Sequence, residues 1–154
     1  MASMECIRQF LAQKRLAIVG VSQKPGDFSR QLFRQFCESG YDVVPVHPQA
    51  REIEGQTCYA RVQDIQPPVT AALLMTSPAV TDIVVRDCAE AHIPHVWMYR
   101  ATGRGAVSAP AIEFCQSNGI SVVPGECPFM FLPEGGWIHR FHGLIKRITG
   151  SYPN

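Results

Sequence analysis

Apolar residues along the chain fall into two alternating patterns. Short, almost unbroken runs lie at Leu16–Val21, Asp42–Val46, Thr70–Met75, His95–Tyr99 and Ile120–Val123, each bounded by Gly, Pro or Ser. Runs of this length, rich in aliphatic and β-branched residues and flanked by turn formers, predict strands buried on both faces. Between them the apolar positions recur at helical spacing: Leu32, Phe33, Phe36 and Cys37 before Gly40; Val80, Ile83, Val84 and Cys88 before Pro94; Ile112 and Cys115 before Gly119. Strands without a polar face, joined by crossover helices, imply a parallel sheet covered on both sides, because each right-handed βαβ unit lays its helix across the sheet. The pattern therefore predicts a doubly wound, three-layer α/β domain around a five-stranded parallel sheet.

The residues at the ends of these segments agree. Ser77 followed by Pro78 is a cap with a first-turn proline, Ser108 caps a helix that carries Pro110 in its first turn, and Gly40 and Gly119 stand where helices end. A further helix is expected over Ser3–Gln13, with Ile7, Phe10 and Leu11 facing the domain. After the last strand, Trp137, Ile138, Phe141, Leu144, Ile145 and Ile148 recur at spacings of one, three and four opposite Arg140, Lys146 and Arg147, the pattern of an extra C-terminal amphipathic helix. The links Ser22–Phe28 and Gln49–Ala60 are longer than the minimum. There is no internal repeat and no linker, so residues 1–154 read as one domain, with a core of about 12–130 and a helical extension of about 131–150.

Length and composition narrow the function classes. A chain of 154 residues is about one domain long and can bury about two-thirds of its unfolded surface. With 46% hydrophobic and 18% charged residues it lies far from disordered compositions. The 14 basic and 13 acidic residues leave a net charge of +1, without the basic field of a nucleic-acid binder. The six cysteines, at 6, 37, 58, 88, 115 and 127, include no C-x-x-C pair, so zinc-ribbon and thioredoxin spacings are absent and buried thiols are expected. Glu5, Arg8, Lys14 and Arg15 break up the first fifteen residues, which predicts no secretory leader and a reducing, cytoplasmic setting. Between Asp64 and Asp82 there is no charge, but Pro67, Pro68 and Pro78 interrupt a stretch too short for the roughly 20 residues of a span, so no membrane partner is expected.

In open parallel sheets, ligands lie beyond the carboxyl ends of the strands where strand order reverses, beside the first βα loop. That loop reads Gly20-Val21-Ser22-Gln23-Lys24-Pro25-Gly26-Asp27-Phe28-Ser29 and runs into a helix. Backbone amides, hydroxyls, Lys24 and a helix N-terminus converge there, which favours a phosphate; the plain alternative is a glycine turn with a solvated lysine and Ser29 as an ordinary cap. A nicotinamide dinucleotide wants G-x-G-x-x-G here and an acid at the end of strand two. Ser22 and Pro25 replace the later glycines, and the second strand ends Val46-His47-Pro48. A ribose carrying an additional phosphate, as in coenzyme A, suits the cationic candidates Lys24, Arg30, Arg51 and His47 better.

These residues resemble the small CoA-binding proteins, whose Rossmann-like domain is shared with the nucleotide domain of succinyl-CoA synthetase α subunits. The resemblance covers roughly residues 12–130 and rests on Gly20–Pro25 with Ser29, Gly40–Pro48, Thr76-Ser77-Pro78 and Glu126-Cys127-Pro128. It implies that the first loop holds the phosphates of coenzyme A or an acyl-CoA. The Pro48 region and Thr76–Pro78 then flank the adenosine, and the loops after strands four and five, with Tyr99, Arg100, Cys127 and Pro128, border the pantetheine path. In the residues themselves, Pro48 and Pro78 are rigid apolar surfaces suited to an adenine, although both also simply end strands. The loop Tyr99-Arg100-Ala101-Thr102-Gly103-Arg104-Gly105 departs from the family's Gln/Glu-Gly type of turn, and its arginines either reach a phosphate or solvate the loop.

Cys127 is either a reactive thiol on the ligand side or a buried inert one; Glu126 beside it opposes thiolate formation. His139 and His142 share a helix face but lack an H-E-x-x-H or a paired carboxylate, so a polar helix edge outweighs a metal site. No nucleophile with its base and no general acid pair assembles on one sheet edge, and the phosphohistidine domain of the synthetase subunit is not expected within 154 residues, so the expectation is a binding, carrier or sensor module. The alternatives are an NAD(P)-linked oxidoreductase with a degenerate glycine loop and an interaction protein without ligand. The C-terminal helix offers a homodimer or protein-partner surface.

Overall fold

The computed structural model describes residues 3–132 apart from residues 102 and 104. In chain order the elements are α1 (Met4–Leu11), β1 (Arg15–Val19), α2 (Phe28–Glu38), β2 (Asp42–Val46), β3 (Glu52–Ile53), β4 (Gln56–Thr57), β5 (Ala71–Leu74), α3 (Pro78–Glu90), β6 (His95–Met98), α4 (Ala109–Ser117) and β7 (Ser121–Pro124). Short 3-10 turns add Val62–Asp64 and Pro128–Met130. β1, β2, β5, β6 and β7 form one parallel sheet in the order β2-β1-β5-β6-β7, in which Val19 lies opposite both Val46 and Leu74. This is the expected doubly wound, Rossmann-like sheet, its strands starting and ending within one or two residues of the predicted bounds. The extra C-terminal helix predicted within about 131–150, with His139 and His142, lies beyond the described residues.

Strand residues divide the core by parity, as the two-residue period of a pleated strand requires. Leu16 and Ile18 of β1 join Ile7, Phe10, Leu32, Phe33 and Phe36 under α1 and α2. Ala17 and Val19 join Val84, Val85, Cys88, Ala111 and Cys115 under α3 and α4. All four residues of β5, between β1 and β6, are buried, which is why the strand reads as an unbroken apolar run. Phe10 meets Trp97 edge to face at 5.3 Å, and the Trp97 indole N–H donates to the Glu126 carbonyl at 3.1 Å, tying α1 and the chain after β7 to the sheet.

Helix ends follow local chemistry. Ser3 Oγ accepts from the Cys6 N–H and Ser108 Oγ from the Ala111 N–H, while α2 and α4 end at Ser39 and Asn118, just before Gly40 and Gly119. The long link after β2 holds an ordered hairpin that the sequence pattern did not reveal. β3 and β4 pair antiparallel about Glu54 and Gly55, whose φ angles of 52° and 75° are those of a two-residue I′-like turn. Tyr59 then locks onto the edge of β2, donating to Pro45 O at 3.1 Å and accepting from His47 N at 3.0 Å. The six cysteines form no disulfide, and no described helix is long and apolar enough to cross a membrane.

Candidate functional site

β1 and β5 are neighbours whose chains leave the sheet in opposite directions, β1 into α2 on one face and β5 into α3 on the other. A crevice opens where they part, the topological switch point at which doubly wound sheets hold ligands. Gly20 makes the close approach at its floor. Its φ is 94°, its N–H donates to Val46 O at 3.0 Å, and the neighbouring Met75 N–H donates to Val19 O at 2.8 Å. A Cβ on residue 20 would stand 2.6 Å from the Met75 carbonyl oxygen. The resulting cleft has a volume of about 530 Å³, with Gly20, Ser22, Asp27 and Ser29 on one side and Met75, Thr76 and Ser77 on the other.

The first wall is stapled by its own side chains. Ser29 is buried at 4% exposure; its Oγ accepts from the Ser22 N–H at 2.8 Å and donates to Asp27 Oδ1 at 2.6 Å. Asp27 caps α2 by accepting the Ser29 N–H at 2.9 Å, and the Lys24 N–H donates to Ser22 Oγ at 3.0 Å. The Ser29 hydroxyl and amide hold the Asp27 carboxyl below its ordinary value of 3.8, and the charge of Lys24 acts in the same direction. Asp27, not Ser29, is thus the cap, and Ser29 clamps the loop from the second helical position.

The opposite wall is the start of α3. Ser77 occupies the N-cap position in extended conformation without a capping bond, Pro78 follows in the first turn, and Thr76 Oγ1 bonds the fully buried Thr81 Oγ1 at 2.7 Å. Two helix N-termini, those of α2 and α3, therefore border one cleft; the uncapped start of α3 favours an anion, whereas at α2 the Asp27 carboxylate already occupies the cap. An aromatic rim borders the cleft: the Phe28 ring lies 5.6 Å from Tyr99 and 5.5 Å from Phe129. Burial, reinforced by the neighbouring Cys127 thiol, pushes the Tyr99 phenol up to about 12. Gly105 packs against the Tyr99 carbonyl, and the Ala106 N–H donates to that oxygen at 2.8 Å.

Of the residues singled out from the sequence, Gly20, Ser22, Ser29, Thr76, Ser77 and Tyr99 line this cleft. Val21 is wholly buried in the core, and Gln23, Lys24 and Pro25 are exposed on the loop outside the lining. His47 turns inward on its own loop, its Nδ1 accepting from the Gln49 and Ala50 N–H groups, while Pro48 is exposed and Pro78 half-buried. Arg100 is exposed, with its guanidinium over Gly125 where a Cβ would meet Nη2 at 3.4 Å; Cys127 is half-buried and Pro128 buried. Arg30 is buried and bonded to Glu54 rather than to open solvent, whereas Arg51 is exposed. Asp27, Phe28, Met75, Gly105 and Ala106, which are not among the candidates from the sequence, also line the cleft. Asp27 was detectable as a capping residue directly before the α2 pattern. Among the described residues no cluster of His, Cys, Asp or Glu is arranged to hold a metal ion.

Comparison with known proteins gives a consistent result. Residues 14–133 match the family model described as CoA binding domain. Over 114 residues the chain is 24% identical to the uncharacterized protein YneT of Bacillus subtilis, covering 74% of this chain and 82% of that one. A hypothetical protein from Pyrococcus horikoshii superposes with a TM-score of 0.73 at 26% identity, over 82% of this chain and 87% of that chain. An acetyl-coenzyme A synthetase from Ca. Korarchaeum cryptofilum, solved in complex with phosphate and ADP, matches at 25% identity and a TM-score of 0.61, over 71% of this chain and only 25% of the synthetase. The chain belongs to the CoA binding domain family, and through this Rossmann-like domain it binds coenzyme A or a related nucleotide.

Proposed function

We propose that the cleft between the first βα loop and Thr76–Ser77 takes the diphosphate of coenzyme A or an acyl-CoA, and that the protein is a binding, carrier or sensor module without a reaction of its own. The observation that carries this reading is the meeting of two helix N-termini over Gly20 at the point where strand order reverses. The cleft, at about 530 Å³, has the capacity of a cofactor site. The adenosine half extends toward Pro48 and Pro78, and the pantetheine runs over Phe28 and Tyr99 toward Arg100, Cys127 and Pro128. Lys24, exposed at the loop surface, supplies the countercharge. Six cysteines without a disulfide support a cytoplasmic setting. The amphipathic spacing of Trp137, Phe141, Leu144 and Ile148 supports a homodimer or protein partner at that segment of a single domain.

The test is thermal unfolding with coenzyme A, dephospho-CoA, NAD and NADP in parallel. A ligand at 100 times its Kd stabilises by about 2.7 kcal/mol, which for a domain of this size raises Tm by about 5–10 °C. Coenzyme A should give the larger shift and dephospho-CoA a smaller one. A shift with NADP alone would replace this reading by the oxidoreductase, and no shift with any of the four would favour an interaction protein without ligand.

A further inference from the structure

Behind the first loop, on the side away from the cleft, lies a second group of charges. Arg30 and Arg34 stand one turn apart on α2 and both grip Glu54 at the tip of the β3–β4 hairpin: Arg30 through Nε at 2.9 Å and through Nη2, Arg34 through Nε and Nη2 at 3.0 Å. The remaining donors reach the loop. Arg30 Nη1 donates to the Ser22 and Gln23 carbonyls at 3.2 and 3.3 Å, and Arg34 Nη2 donates to the Pro25 carbonyl at 2.9 Å. The Arg30 side chain is only 10% exposed, so its guanidinium is committed to these partners and does not reach out to a ligand.

We infer that Arg30, held by Glu54, is a positioning residue for the phosphate site: it fixes the Ser22 carbonyl and thereby turns the Gln23 N–H of the same peptide toward the incoming anion, while its bond to the Gln23 carbonyl steadies the next peptide, whose Lys24 N–H already donates to Ser22 Oγ. This rests on the reading of the cleft as the diphosphate site. In a trans peptide the C=O and N–H point in opposite directions, so a carbonyl anchored on the Arg30 side presents the following N–H on the other. An unanchored loop is free to turn a carbonyl oxygen toward the phosphate, where it repels rather than binds. Two guanidiniums against one carboxylate also leave one net positive charge behind the loop, partly offsetting Asp27 in front of it. The hairpin after β2 is thus coupled to the ligand loop through the Glu54 carboxylate.

Two variants separate geometry from charge. Arg30→Lys keeps the charge but loses the fork that spans Glu54 and two carbonyls. Glu54→Gln makes the protein more positive by one, so a purely electrostatic effect would tighten anion binding, whereas loss of positioning weakens it. Calorimetric titration with coenzyme A should show affinity lowered about tenfold or more in Arg30→Lys and several-fold in Glu54→Gln, the scale of one charge-assisted hydrogen bond. The Gln23 amide resonance, shifted by coenzyme A in the wild type, should shift less in both variants at saturation while Thr76 across the cleft still responds. A role confined to stability would lower Tm and leave the saturated spectra alike. If Arg30→Lys does not fold, Glu54→Gln carries the test alone. Unchanged or tighter binding in the folded variants overturns the inference; a wild type that does not bind coenzyme A overturns the functional reading instead.

Discussion

Replacing Gly20 by alanine tests whether the close approach of the β1 and β5 ends is what builds the cleft. The added Cβ would sit 2.6 Å from the Met75 carbonyl oxygen, well inside the 3.4 Å at which ordinary contact begins, and the obstacle is backbone in a buried sheet. Residue 20 also adopts φ of 94°, which costs an L-residue about 1–2 kcal/mol. Relief of the clash must pull β1 from β5 and strain the bonds from Met75 N to Val19 O and from Gly20 N to Val46 O, each worth a net of about 0.5–1.5 kcal/mol. Together these give a loss of about 2–4 kcal/mol, or a fall in Tm of about 5–15 °C without ligand. Gly26→Ala, in the same loop but with nothing within 4 Å of its Cβ, is the control and should stay within about 1 kcal/mol of the wild type. Calorimetric melting of both variants is the assay. Equal Tm values for the two would refute the reasoning, because they would mean that the strand ends yield without cost.

Lys24→Ala should weaken coenzyme A binding with Tm almost unchanged, since the side chain is exposed and packs into no core; unaltered affinity in a titration would remove it from the site. The hydrogen bonds from Arg34 and then Arg30 hold the Glu54 carboxyl below its ordinary value of 4.5. Its contribution to stability is therefore complete above that value and is lost as pH falls through the lower folded one, so urea unfolding should show wild type and Glu54→Gln converging in strongly acid solution. A gap that stays constant down to pH of about 2 would contradict that linkage. Tyr99 should ionise only near 12, read as the difference in ultraviolet titration between wild type and Tyr99→Phe; ionisation in the ordinary tyrosine range would mean that the rim is open to water.

The main sheet was legible because its strands are buried on both faces and therefore carry runs such as Ala71–Leu74 that no surface strand tolerates. The helices were legible because their ends carry chemistry of their own, as at Ser108 with Pro110. The β3–β4 hairpin was not, since two-residue strands have no period to detect and Glu54 stands where asparagine or aspartate would have signalled the turn. At the site, the position of the first loop followed from topology, and Gly20, Ser22 and Ser29 were found with it. Arg30 looked like a ligand cation because nothing nearby in sequence reveals its partner; Glu54 lies 24 residues further on and meets it only through the fold. Likewise Met75, Gly105 and Ala106 line the cleft through backbone and apolar contact, which leaves no residue-type signature.

A crystal structure of the protein with coenzyme A tests the central claim most directly. The account predicts the diphosphate within hydrogen-bonding distance of the loop Gly20–Ser29, facing Thr76 and Ser77 across the cleft, with Arg30 still bonded to Glu54 behind it. Coenzyme A bound elsewhere on the sheet, with this cleft empty or closed by the protein's own side chains, would contradict it.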